Sequence, residues 1–262
     1  CSYHHYAQYA DIVLSPCFLP VIFDQAATSY PERQVRIDHT CAPSRMRFDI
    51  TKTTLFPKQP PTNNAKPKII ATYIREPDEF SLDDLLFKFK TMHEKHNCQF
   101  LVSTGPCTNS NEARRIGECL AEFPGSEFFI FSASISKGLP NPFKDFLERA
   151  DAIVVTDDTV STLSDAVATG KTVFLHALES NEYYSGPAKF PDVNYLLQQA
   201  LMQQGRIKYF TEKNLMSGWR PVYINEWKEI ADKITGIMQE RKLAIRGAVP
   251  PKMPIQPAQH SG

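Results

Sequence analysis

The chain has 262 residues with 29 basic and 29 acidic side chains, so it carries no net charge and has no broad electrostatic attraction for nucleic acid or an anionic membrane. Its length suits one or two globular domains, and no run of about 18 residues is apolar enough to span a bilayer. Cys1, Cys17, Cys41, Cys98, Cys107 and Cys119 form no CxxC pair. Neither a zinc module nor a redox motif is therefore indicated, and reduced, packed thiols suit the cytosol, the nucleus or the mitochondrial matrix. No targeting peptide is visible, and a start at Cys1 rather than methionine leads to the expectation that an amino-terminal part has been removed.

Residues 10–14 and 34–37 are short strand candidates. They lie in a region, 1–55, that reads as the remnant of a first α/β domain. His4 and His5, between Tyr3 and Tyr6, have no nucleophile or carboxylate motif beside them and suit a partner surface left by a missing domain. Residues 56–67, FPKQPPTNNAKP, read as a Pro- and Asn-rich linker. A second domain is expected over 68–246.

From Lys68 onward, strands and helices alternate: strand 68–74, helix 81–95, strand 99–103, helix 110–123, strand 127–131 and helix 142–149. Leu82, Leu85, Leu86, Phe89 and Met92 make the apolar stripe of the first helix, and Ser81 with Asp84 offers capping chemistry at its start. His93 and His96, with Cys98 nearby, sit at the polar end of that helix, where imidazoles are favourable, and they lack a complete metal-ligand set. This alternation predicts a Rossmann-like α/β domain, a parallel sheet with helices on both faces.

The segment 141–178, NPFKDFLERADAIVVTDDTVSTLSDAVATGKTVFLHAL, reads as helix, buried strand, polar turn, short helix, buried strand. Residues 152–155 are a continuous apolar run, as expected of a parallel strand covered on both faces. Thr156, Asp157, Asp158 and Thr159 can cap a helix carried by Val160, Leu163, Ala166 and Val167, which Gly170 ends. Two readings stay open for Asp158 and Thr159: they cap the helix and nothing more, or its free N–H groups receive an anion at the carboxyl end of the sheet.

Farther on come a helix over 195–204, a strand over 207–210, and a closing helix over 226–243 with Trp227, Ile230, Ile234, Ile237 and Met238 on its buried side. The tail 247–262, with Pro250, Pro251, Pro254 and Pro257, cannot pack as helix or sheet. It is either a frayed end or an extended arm docked on a partner.

Ala150, Asp151, Ile153, Val155, Thr156, Asp158, Val160, Ser161, Ser164, Ala166, Thr169, Gly170, Lys171 and Val173 stand in the order and spacing of a known signature, and Asn141–Pro142 fits its N-P-Y element with Phe143 for Tyr. In these residues the chain resembles the mitochondrial fission Elm family, whose members are similar to GT-B glycosyltransferases. The resemblance implies that residues 68–246 are a GT-B carboxyl-terminal-type domain. It also implies a nucleotide-sugar site at Asp158, Thr159, Val160 and Ser161, with Asp165 on the ribose. Thr104, in the loop after the second strand of this domain, and Lys137, ahead of Asn141, are weaker phosphate candidates.

The departures matter as much. Asp165 replaces a family Glu and is one methylene shorter; Thr159, Thr162 and Thr172 replace Ser, Met and Pro. The loop Ser103, Thr104, Gly105, Pro106, Cys107, Thr108 lacks two family arginines and with them the stronger, charge-assisted bonds to phosphate. Ile74, Arg75, Glu76 and Pro77 stand where a glycine-rich turn would cradle a pyrophosphate. The expectation is a non-catalytic GT-B-like pseudoenzyme without cofactor, located at mitochondria and acting as an interaction or structural subunit. Its partners would be proteins: subunits of a large mitochondrial complex or ribosome, or, as the family resemblance implies, a dynamin-related protein. The alternative is an active glycosyltransferase that binds a nucleotide-sugar.

Overall fold

The computed structural model describes residues 13–16, 34–37, 68–75, 79–131, 138–156, 160–177 and 193–247. The sequence expectations for His4, His5, the 56–67 linker and the tail beyond Gly247 lie outside these residues. Two short strands, β1 (Val13–Pro16) and β2 (Gln34–Ile37), pair in parallel, Val13 opposite Gln34. The first of them starts three residues later than its apolar run suggests and ends on Pro16, which an edge strand tolerates.

Six more strands form one parallel sheet: β3 (Lys68–Ile74), β4 (Cys98–Thr104), β5 (Glu127–Phe129), β6 (Ala152–Thr156), β7 (Thr172–His176) and β8 (Ile207–Tyr209). The helices between and after them are α1 (Glu79–His96), α2 (Ser110–Ala121), α3 (Phe143–Arg149), α4 (Val160–Ala168), α5 (Val193–Gln203), α6 (Glu212–Met216) and α7 (Glu226–Gly247). Spatial order is β5-β4-β3-β6-β7-β8, and every neighbouring pair is parallel. The chain starts in the middle, winds outward to β5, returns to β6 beside β3 and winds outward the other way.

Alternation along the strands divides the core in two. On one face Ala71, Leu101, Ile153, Val155, Val173 and Leu175 meet Phe143, Phe146 and Leu147 of α3, Leu163, Ala166 and Val167 of α4, and Leu197 and Leu201 of α5. On the other, Ile70, Ile74, Phe100, Val102, Val154 and Phe174 meet Leu82, Leu85, Phe89 and Met92 of α1, Ile116 and Leu120 of α2, and Leu215 of α6. Each of the larger of these side chains contributes about 1.5–3 kcal/mol by leaving water. Double coverage is why β6 and β7 are buried at every residue.

Several local expectations change. Ser81 does not cap α1, because the helix begins at Glu79; Ser81 is buried and its carbonyl accepts a bond from His176. On α7, Ile230 is buried and Ile234 and Ile237 are half-buried, but Trp227 and Met238 are exposed by half or more. The stripe is thus wider than the surface the helix rests on. The five-residue α6, capped by Thr211, is too short for periodicity to reveal.

The amino-terminal edge of the sheet is held by polar groups. Asp151 accepts from the Ile69 N–H at 2.8 Å while its own N–H donates to the Ile69 carbonyl at 2.7 Å, which locks β6 to β3. Lys171, buried just before β7, donates to the carbonyls of Leu147, Glu148 and Ala150 at 2.6–2.8 Å. Those are carbonyls at and just beyond the end of α3, where a helix leaves acceptors without intrahelical donors. Burial pushes the Lys171 pKa down, and the nearby Asp151 and Glu148 charges oppose that shift. Gly170, at φ 70°, makes the left-handed turn that ends α4 and delivers Lys171 to this place. At the next strand, buried Arg206 pairs with buried Glu226 and fixes the start of α7.

Replacing Lys171 by Met keeps a side chain of the length of the lysine stem but strips three carbonyls of their donor. Lys171→Met is expected to lower stability by about 3 kcal/mol, read as a lower urea midpoint with an unchanged slope. A second test concerns Glu212, which hydrogen-bonds His96 at 2.9 Å and Lys95 at 3.2 Å; those bonds hold its carboxyl below the ordinary range. A carboxyl depressed by folding contributes stability above its unfolded pKa of about 4.3 and loses it as pH falls through the folded value. Wild type should therefore melt above Glu212→Gln at neutral pH, with the two melting curves converging in acid.

Candidate functional site at the carboxyl edge of the sheet

In an open parallel sheet, ligands bind outside the carboxyl ends of the strands where the winding reverses. Here that place lies between the ends of β3 and β6, which are hydrogen-bonded neighbours. The local groups are largely engaged with one another. Gly105 donates its N–H to the Ile74 carbonyl at 2.7 Å, and the Thr108 hydroxyl lies 3.2 Å from that carbonyl and 2.5 Å from the carbonyl of Arg75. The Arg75 N–H in turn donates to the Thr156 hydroxyl at 3.4 Å, across the point of reversal. The loop after β4 is thereby folded down onto the end of β3.

Gly105 is required for that closeness. A Cβ on it would lie 2.9 Å from the Tyr73 hydroxyl and 3.1 Å from the Arg75 Cα. The glycine thus serves contact between two protein segments, in the loop for which the family resemblance implies phosphate contact.

Thr104 is fully buried at the end of β4, and its hydroxyl accepts the Phe131 N–H at 3.1 Å. Its hydrogen bond orients the chain leaving β5. The start of α2 is also satisfied from within: the Asn109 side chain accepts from the N–H groups of Asn111 and Glu112, and the Glu112 carboxylate accepts from Asn109 in a capping box.

On α4, Val160 is half-buried, Ser161 is exposed and Asp165 is 5% exposed. Ser161 and Asp165 are one turn apart and share a face, so they form a polar row running from the helix start into the protein. The Ser164 hydroxyl bonds back to the Val160 carbonyl at 2.8 Å and takes no place in that row. Asp158, Thr159 and Lys137 lie outside the described residues.

His176 escapes the sequence reading. It ends β7 directly opposite Thr156 in the register, is buried, and its Nε2 lies 2.9 Å from the Ser81 carbonyl. A carbonyl only accepts, so Nε2 carries the hydrogen. Its Nδ1 faces the Asp84 carboxylate at 3.9 Å. The ring ties the end of β7 to the first turns of α1. The only sequence signal was its place at the end of the run TVFLH.

The histidines at the far end of α1 are structural. His93 Nδ1 bonds the Cys98 carbonyl at 2.9 Å and its ring stacks on Phe123, while His96 pairs with Glu212. Among the described residues no group of three or more His, Cys, Asp or Glu side chains is placed to hold a metal ion.

The signature residues thus divide between two ends of the sheet. Ala150, Asp151, Thr169, Gly170 and Lys171 lie at the amino edge, where Asp151 and Lys171 make bonds within the fold, and Thr169 does the same by donating to the Ala166 carbonyl and accepting from the Lys171 N–H. Thr156, Ser161 and Asp165 lie at or near the carboxyl edge.

A doubly wound parallel sheet with its reversal between β3 and β6 defines a Rossmann-like α/β protein. The family model described as Mitochondrial fission ELM1 matches residues 78–238, more than half of the chain, and the chain belongs to that family. It is 32% identical over 109 residues to "Mitochondrial fission protein ELM1" of Arabidopsis thaliana; the aligned part covers 41% of this chain and 22% of that relative, so the match spans about a fifth of the relative's length. A solved structure of accessory secretory protein 1, 2 and 3 in Streptococcus pneumoniae aligns with 94% of this chain and 47% of its own, at 10% identity and a TM-score of 0.45, a likeness that carries no functional information.

The packing of the loop at Gly105 is testable. Gly105→Ala should cost about 1–3 kcal/mol through overpacking against Tyr73 and Arg75, measured as a reduced free energy of unfolding in urea.

Proposed function

We propose that the chain is a non-catalytic, GT-B-like member of the ELM1 family that works by binding other proteins in or on mitochondria. The observation that carries this reading is the engagement of the switch-point groups with one another. The backbone of Gly105 and Arg75 and the hydroxyls of Thr108 and Thr156, described groups at the reversal between β3 and β6, are bonded within the protein. Loss of the two arginines and of the glycine-rich turn removes the charge and the room that such a ligand needs. The name of the plant relative points to mitochondrial fission. The partner in this reading is either a dynamin-related protein or a subunit of a larger mitochondrial assembly such as a ribosome or respiratory complex, and the proline-rich segment after α7 is the contact arm.

A second reading keeps one specific support, the polar row of Ser161 and Asp165 on α4. In it the chain binds a nucleotide-sugar, with the helix start on the phosphates and Asp165 on the ribose, and transfers the sugar.

Thermal-shift titration of the purified chain with UDP-, GDP- and ADP-sugars separates the two. The first reading expects no shift. A saturable rise, about 2.7 kcal/mol of added stability at 100 times the dissociation constant, would overturn it, and loss of that rise in Asp165→Asn, in a variant that remains folded, would assign the site. For the contact arm, removal of residues 248–262 is expected to release the protein from its complex on a native gel without changing its melting temperature. Unchanged co-migration would exclude the arm as the point of attachment.

A further inference from the structure

No further inference is drawn: the strongest candidate, the apolar stripe along α7 formed by exposed Trp227 and Met238 with half-buried Ile234 between them, carries nothing because nothing in the structure shows what covers it.

Discussion

One buried ammonium group organises the centre of this domain. Lys171 reaches from the foot of β7 to three carbonyls around the end of α3, and so joins a helix to the two strands that follow it in sequence. Bonds from a charged donor are each worth about 1.5–3 kcal/mol, set against the cost of taking the ammonium out of water. What decides the balance is geometry: three acceptors converge on one cation at distances typical of strong hydrogen bonds. If α3 ended elsewhere, β6 could not enter the sheet beside β3 in its present register. The position of α4, and with it the row of Ser161 and Asp165, follows from that register.

The same group changes how the signature should be understood. A lysine after glycine near a candidate nucleotide site invites assignment to phosphate. Here the strand intervenes: Lys171 is at the foot of β7 and the candidate site is beyond its head, where His176 stands. Asp151 is likewise at the foot, bonded to Ile69 in both directions. Much of the pattern that identifies the family therefore reports on how β6, α4 and β7 are assembled. The part of the signature at the foot of the strands serves bonds within the fold, while Ser161 and Asp165 stand apart from it on α4.

The sheet and most helices were legible in the amino-acid sequence because their signals are long-period and physical. Apolar runs such as Ala152 to Val155 can exist only where both faces are covered, and the spacing of Leu82, Leu85, Phe89 and Met92 leaves one buried face for α1. Signals shorter than a period were not legible. Nothing in the composition of 212–216 reveals α6, and Ser81 resembled a cap although the helix starts two residues earlier. Trp227 and Met238 were misplaced because a hydrophobic stripe specifies which residues can be buried and leaves open how far the supporting surface extends. At the carboxyl edge, Thr104 reads in sequence as a phosphate candidate in the loop after β4, whereas it is the buried last residue of that strand. Its partner, the Phe131 N–H, is 27 residues away, and no local pattern encodes it. His176 was missed for the same reason, since its partner at Ser81 is 95 residues distant.

Among the described residues the six-stranded sheet ends on both sides in strands of three residues, β5 and β8. Each is further occupied: Arg149 bridges Glu127 of β5 to Asp145 of α3, and the Asn214 amide donates to the Tyr209 carbonyl at the end of β8. So short a border offers few backbone groups to another chain, and side chains already attend to it. Assembly by adding a foreign strand to this sheet is thus disfavoured. Contact at these edges would therefore depend on the identity of individual side chains rather than on generic backbone pairing.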